Sequence, residues 1–134
     1  MGQLDGYRKV GTGQNVFEAE PVEGPLKWLE TPQDVIDFVN GDDVEETIVL
    51  SRGGTTTFMA PALSSGALGL ITLQGGPQSH LGIVSREFGI PCVMSVAFTE
   101  GVELPTGETV PADGSIVRLE STTTPNADVY VKEG

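Results

Sequence analysis

The chain is poor in the residues that support disulfides, nucleic-acid binding and membrane insertion. Its single cysteine, Cys92, cannot form a disulfide within the chain, so nothing requires an oxidising compartment. Only 7 Lys and Arg stand against 19 Asp and Glu, and the formal net charge of −12 argues against binding to phosphate backbones or anionic lipid. No apolar run approaches the roughly 18 residues needed to cross a bilayer, and the N-terminus lacks the order of a signal peptide. We therefore expect a cytoplasmic, soluble protein that binds neither nucleic acid nor membranes.

The composition that remains is that of one folded, turn-rich domain over residues 1–134. The chain is 38% hydrophobic, and its 18 glycines and 9 prolines stay below the share that marks low-complexity sequences. A length of 134 residues fits one core better than two.

Secondary-structure patterns in the first half predict two short strands and a helix. The apolar pieces 16–17 and 26–29 are separated by the turn residues Pro21, Gly24 and Pro25, which favours strands. Thr31 then has the character of a helix N-cap, with proline at the first helical position and Asp34 in the first turn. Apolar residues follow at helical spacing, and the stop is Asn40-Gly41.

Later segments alternate between strand and helix patterns, which indicates an α/β fold with a partly parallel central sheet. The predicted elements are a buried strand 47–50, a Gly/Thr loop 51–57, a short helix 58–63 broken near Pro61, a strand 68–73, a sharp turn 74–79, a helix from His80 to about Phe88 ended by Gly89, and a strand 92–94. Beyond residue 102, the pieces 109–110 and 116–119 predict a small added hairpin joined by the turn Asp113-Gly114. Residues 121–134 form a polar tail that we expect to fray or to pack as a sheet edge.

The chemically informative segment is the predicted strand, glycine turn and helix around the only histidine. Gly75 and Gly76 let the backbone turn sharply and let another molecule approach closely. Ser79 occupies the position expected for the helix N-cap, and His80 follows in the first helical turn. A helix N-terminus favours a neutral, nucleophilic imidazole and offers N–H donors to a phosphoryl group. We expect Leu81, Val84 and Phe88, with Ile83 beside them, to anchor this helix to the sheet.

The ordered motif Gly75-Gly76-x-x-Ser79-His80, continued by Ile83-Val84-x-Arg86-Glu87-x-Gly89-Ile90-Pro91, resembles the swivelling phosphohistidine domain of phosphoenolpyruvate-utilising enzymes. Ser85 stands where that family usually has alanine. The resemblance is strongest over 68–91, and the motif core is 47–119. It implies a swivelling β/β/α domain in which His80 takes a phosphoryl group at one active site and delivers it at another. Ser79 is then a supporting residue, and Gly75 and Gly76 form the phosphoryl-binding turn.

The resemblance also implies partners, because those enzymes carry a nucleotide-binding domain that 134 residues cannot hold. The chain has no G-x-x-x-x-G-K loop and few cations, so we expect it to bind no cofactor alone and to be inactive alone. A nucleotide-binding subunit of the ATP-grasp type would supply ATP and Mg²⁺, and an acceptor-binding subunit would supply pyruvate or another small molecule. The alternatives are a non-catalytic interaction or regulatory domain, a small-molecule module that binds an anion, and a central domain excised from a larger dikinase.

Several of these residues also have a purely structural interpretation. Ser79 can act only as a cap, the two glycines can serve only the turn, and Arg86 favours pairing with Glu87 or another acid over contact with phosphate. Thr72 is a further supporting residue. The segment 53–57 fits a flexible loop better than an anion-binding nest, and Cys92 fits buried packing. The acids Asp42, Asp43, Glu45 and Glu46 indicate a solvated loop or a docking patch for a basic partner, and no metal cluster is expected.

Overall fold

The structure, a computed structural model, describes residues 6–29, 31–53, 60–74, 80–103, 107 and 109–132. Three α-helices, one 3₁₀ helix (Val44–Glu46) and nine strands are found in these ranges. In chain order they are β1 Tyr7–Asn15, β2 Val22–Trp28, α1 Pro32–Val39, β3 Ile48–Gly53, α2 Ala60–Ser64, β4 Gly69–Gln74, α3 His80–Phe88, β5 Cys92–Phe98, β6 Val102–Glu103, β7 Thr109–Val110, β8 Ile116–Glu120 and β9 Asn126–Lys132. Within the described ranges, no helix is long and apolar enough to span a bilayer.

Seven of the strands close into a barrel in the order β1-β5-β4-β3-β2-β8-β9. Strands β2, β3, β4 and β5 are parallel, and helices α1, α2 and α3 are the crossovers between them. The remaining neighbours in the barrel are antiparallel. A two-stranded sheet of β6 and β7 is added to the barrel. The predicted fold class, a partly parallel α/β sheet with a small hairpin, is confirmed.

The apolar residues form two layers on opposite sides of the parallel strands. One layer lies between the strands and the helices, where Val49 of β3 and Leu70 of β4 pack with Val35 of α1 and Leu63 of α2. The other layer fills the barrel and consists almost entirely of strand residues, among them Ile48, Leu50, Ile71, Val93, Val117 and Val129. Strands β3 and β4 are therefore buried on both faces, which explains their continuous apolar sequences.

Helix α1 begins as its sequence predicts. Thr31 Oγ1 accepts a hydrogen bond of 3.1 Å from the Asp34 N–H, and an Asp34 carboxylate oxygen accepts one of 3.2 Å from the Thr31 N–H. This capping box satisfies two donors at the helix start, and Pro32 occupies the first position, where no intrahelical donor is needed. Asn40 and Gly41 follow the last helical residue.

Some predicted boundaries in the first half are wrong. Residues 16–17 lie just beyond β1, which instead covers the less apolar Tyr7–Asn15. Gly24 and Pro25 are inside β2 rather than in a turn before it. Pro25 is tolerated there because it lies where the antiparallel ladder to β8 ends and the parallel ladder to β3 starts. Residues 51–53 belong to β3, while 54–59 lie outside the described residues. Pro61 is the second residue of α2, a position that starts a helix rather than breaking it.

Two predictions near the C-terminus are also wrong. The small hairpin pairs β7 with β6, so its second strand is not the segment 116–119. That segment belongs to β8, which pairs with β2 and β9 in the barrel. The predicted tail forms β9, which pairs with β1 on one side and β8 on the other. Its alternating residues Ala127 and Val129 are buried in the barrel, so this strand neither frays nor forms an edge.

Candidate functional site

The fold places the sequence motif at the carboxyl edge of the parallel strands. Because the strands are parallel and the helices return across the sheet, all three helices begin at this edge. His80 is the first residue of α3 and follows the end of β4 after five residues. Gly75, Gly76 and Ser79 belong to the connecting segment and lie outside the described residues. In α/β folds with parallel strands, both open sheets and closed barrels, ligands are bound at this edge.

The position of His80 at the start of a nine-residue helix has an electrostatic consequence. The first-turn N–H groups of a helix lack intrahelical acceptors, and the helix dipole places partial positive charge there. A helix N-terminus therefore favours an anionic group placed beside it. His80 thus follows the carboxyl end of β4 and occupies the N-terminal end of α3.

Strand β4, the last described element before α3, is held in place by burial and by a side-chain hydrogen bond. Leu70, Ile71 and Thr72 are fully buried, and the Thr72 hydroxyl donates a hydrogen bond of 2.8 Å to the carbonyl oxygen of Gln74. Thr72 thus uses its hydroxyl to fix the last residue of the strand. Any support that Thr72 gives to His80 acts through the position of this strand end.

The face of α3 that packs on the sheet differs from the predicted one. Gly82 and Ser85 are buried, and Val84 is half-buried against the helix-facing core layer. Ile83 and Phe88 are 49% and 52% exposed, so the prediction that these two residues help to anchor the helix is wrong. Phe88 instead lines a surface groove of about 420 Å³. Small residues at 82 and 85 let the helix lie close to the sheet, and this rotates the larger side chains outward.

Arg86 joins α3 to a distant part of the chain. Its guanidinium donates a hydrogen bond of 2.8 Å to the carbonyl oxygen of Val16, just beyond β1. Arg86 therefore makes a contact within the domain, but this contact is not the predicted pair with an acid. Its acceptor in the described part of the chain is a backbone carbonyl, where the sequence favoured an acid such as Glu87. The contact fixes the last turn of the helix that begins with His80.

Ser85 helps to attach α3 to β5, a role that the sequence did not predict. Its hydroxyl donates a hydrogen bond of 3.0 Å to the carbonyl oxygen of Gly82 and also interacts with the thiol of Cys92 on β5. Cys92 is fully buried, as predicted, and burial raises the pKa of its thiol to about 12. The serine in place of the family's usual alanine could have indicated this contact, because a buried hydroxyl needs a hydrogen-bond partner.

The acidic run lies on the surface, at the opposite end of the strands from His80. Asp42, Asp43, Glu45 and Glu46 are all exposed before β3, which confirms a solvated segment. Gly53 ends β3, and the rest of the predicted loop 53–57 is outside the described residues. No group of three or more His, Cys, Asp and Glu side chains suited to a metal is found among the residues that the structure describes.

The fold is a small barrel domain. The only histidine of the sequence is the first residue of a helix that connects two parallel strands. The family "PEP-utilising enzyme, mobile domain" matches residues 44–117, more than half of the chain, and the chain belongs to this family. Phosphoenolpyruvate synthase of Pyrococcus furiosus is 33% identical over 116 residues, covering 81% of this chain and 14% of that protein. Phosphoenolpyruvate-protein phosphotransferase of Streptomyces coelicolor is 36% identical over 77 residues, covering 55% of this chain and 13% of that protein. The chain thus spans about one seventh of the length of these relatives.

A solved structure shares the fold over nearly the whole chain. Muramoyltetrapeptide carboxypeptidase from Oxalobacter formigenes superposes with a TM-score of 0.56 at 12% identity, covering 96% of this chain and 51% of that one. At this identity the likeness concerns the arrangement of strands and helices alone. It agrees with the closed, partly parallel barrel described above.

Proposed function

We propose that this chain is a mobile phosphohistidine carrier that acts as one subunit of a multi-component phosphotransferase. His80 takes a phosphoryl group from a nucleotide held by a partner and delivers it to an acceptor held at a second site. The observation that carries the proposal is the position of the only histidine, at the first residue of α3 and inside the region that matches the mobile-domain family. The similarity to phosphoenolpyruvate synthase of Pyrococcus furiosus supports phosphoenolpyruvate chemistry for the whole assembly.

The proposed transfer is two displacements at phosphorus. A ring nitrogen of neutral His80 uses its lone pair to form a P–N bond, while the P–O bond to the departing nucleotide phosphate breaks and that oxygen keeps the electron pair. In the second step an acceptor oxygen forms a new P–O bond, and the P–N electron pair returns to the ring. Dividing one difficult transfer into two easier ones is the advantage of a covalent intermediate.

The carrier itself contributes position and a suitable environment for the histidine. The α3 N-terminus favours an anionic phosphoryl group beside it, and strand β4, which precedes it in the chain, is buried over residues 69–72. With 7 basic against 19 acidic residues, the chain is poorly suited to neutralise a triphosphate. The partner of the ATP-grasp type therefore supplies Mg²⁺ and most of the cations, and an acceptor-binding subunit completes the cycle.

Labelling within the native assembly tests the proposal. The tagged chain is purified from its own cells with the proteins that assemble with it, and the complex receives either ³²P-labelled ATP or ³²P-labelled phosphoenolpyruvate. We expect label on this chain from both donors, because the carrier step is reversible, and label on pyruvate after ATP if pyruvate is the acceptor.

His80→Ala in the same complex is the decisive variant, with Ser79→Ala as its neighbouring control. We expect His80→Ala to abolish labelling and Ser79→Ala only to slow it. A complex whose activity is unchanged by His80→Ala would instead support the non-catalytic interaction domain.

A further inference from the structure

Helix α3 leaves an apolar side chain exposed one turn from the proposed phosphohistidine. Ile83 is 49% exposed, and Glu87 one turn further along is also exposed. Positions 80, 83 and 87 follow the spacing i, i+3 and i+7, so they share one side of the helix. The helical rise of 1.5 Å per residue puts position 83 roughly 4.5 Å along the axis from position 80.

A partner surface that lies against the first two turns of α3 therefore covers positions 83 and 87 together with position 80. A specific interface buries roughly 800 Å² on each partner, which corresponds to a patch extending about 16 Å from its centre. If the patch is centred on His80, Ile83 and Glu87 fall well inside it. An exposed isoleucine at the centre of such a patch contributes apolar burial that the free domain does not obtain.

The charge of the chain indicates what kind of partner fits. The domain carries a formal net charge of −12, and Glu87 places a carboxylate beside Ile83 on the outward side of α3. A site that binds a nucleoside triphosphate must present cations to neutralise the phosphates. An acidic carrier and a cationic rim around a phosphoryl donor are complementary in charge.

We infer that the outward face of α3, formed by Ile83 and Glu87 beside His80, is the surface on which the phosphoryl-donating partner docks. This partner presents an apolar depression for Ile83 and a cation for Glu87. The inference rests on the proposed function, since it assigns the surface through which His80 meets its donor.

The chain contains a matched control for the isoleucine. Ile36 on α1 is 50% exposed, so it resembles Ile83 in type, helical setting and exposure. Helix α2 contacts both α1 and α3 and separates them. At the usual 8–10 Å between packed helices, α1 lies roughly 16–20 Å from α3, at or beyond the edge of the patch.

A kinetic comparison of Ile83→Asp with Ile36→Asp tests the inference. Each variant is supplied at increasing concentration to the partner proteins of the purified complex, from which the native chain has been removed, and the initial rate of ³²P transfer from ATP is measured. We expect Ile83→Asp to raise the KM for the carrier about tenfold or more with little change in kcat. Ile36→Asp should stay within about twofold of the unchanged chain. Ile83→Ser, with thermal unfolding of each variant, separates a docking defect from a folding defect.

Charge reversal tests the second half of the inference. Glu87→Lys should raise KM and weaken the salt dependence of the rate, whereas Asp42→Lys in the acidic run should do neither. Equal behaviour of Ile83→Asp and Ile36→Asp would overturn the inference while leaving the phosphohistidine intact. A defect only in Asp42→Lys would place docking on the acidic run and would also overturn it. If the chain without substitutions takes up no label, the proposed function is contradicted, and the inference fails with it.

Discussion

The Arg86 guanidinium donates a hydrogen bond of 2.8 Å to the carbonyl oxygen of Val16, which is 70 positions away in the sequence. The Val16 N–H in turn donates to the carbonyl oxygen of Cys92 at 3.0 Å, and Cys92 interacts through its thiol with Ser85 on α3. The helix that begins with His80 is thus connected through Arg86 to the segment just beyond β1 and through Ser85 to β5. This arrangement holds the helix in one orientation while its N-terminal turn remains at the carboxyl edge.

Removing the Arg86 contact should destabilise the domain. We expect Arg86→Gln to lower the free energy of unfolding by about 1–2 kcal/mol, because a charged donor is lost and a partly buried carbonyl keeps no equivalent partner. Urea unfolding followed by circular dichroism measures the change. Arg86→Lys should recover part of the loss, and Glu87→Gln on the same helix should change stability by less than about 0.5 kcal/mol. Equal stability of all three variants would show that the contact contributes nothing.

Gly24 is a position where strand packing leaves no room for a side chain. A Cβ atom there would lie 2.3 Å from the carbonyl oxygen of Glu46. We expect Gly24→Ala to cost about 1–3 kcal/mol, since backbone must shift to accommodate the methyl group. Gly41→Ala is the control, because its Cβ would meet the nearest atom at 3.3 Å. Urea midpoints that fall equally in both variants would contradict this account of β2.

Stability should fall at alkaline pH because of Cys92. Burial raises the pKa of its thiol to about 12, above the usual value near 9.0. Between these values the unfolded chain releases the proton and the folded chain keeps it, so the stabilisation is complete below pH 9 and is lost as pH rises toward 12. We expect a loss of about 1.4 kcal/mol per pH unit above pH 9 from this group. The difference in unfolding free energy between the unaltered chain and Cys92→Ala, measured from pH 8 to 10.5, should show this slope, and a constant difference would contradict it.

The isolated chain should bind Mg-ATP weakly or not at all. Its excess of acidic residues repels a polyanion, and the proposed function assigns the nucleotide site to a partner. Isothermal titration calorimetry of the purified chain with Mg-ATP should give no heat of specific binding at micromolar concentrations. Binding at micromolar Kd or tighter would move the nucleotide site into this domain.

The sequence predicted best where one local physical rule decides the structure. The Thr31 cap, Pro32 and Asp34 marked α1 because a capping box satisfies helix donors locally. Strands β3 and β4 are continuous apolar runs because both of their faces are buried, and Gly89, with a φ of +69°, ended α3 as its position predicted. The motif likewise located His80 at a helix start.

Predictions failed where pairing between distant segments decides the structure. The polar tail became β9 because β1 and β8 offer a ladder on each side, a fact that its own composition does not reveal. Phe88 matched an amphipathic pattern with Leu81 and Val84, but the buried face is set by Gly82 and Ser85 against the sheet. The Arg86 acceptor is a backbone carbonyl. Every residue has such a group, so the sequence does not indicate which one is the acceptor.

The chemical nature of the phosphorylated residue tests the central claim most directly. The chain is isolated from the working complex under alkaline conditions and its phosphorus NMR spectrum is recorded before and after mild acid treatment. We expect one phosphoramidate on His80, the only histidine, which is stable in base, lost in acid and absent from His80→Ala. An acid-stable phosphoester on Ser79, or full phosphorylation of the His80→Ala chain, would contradict it.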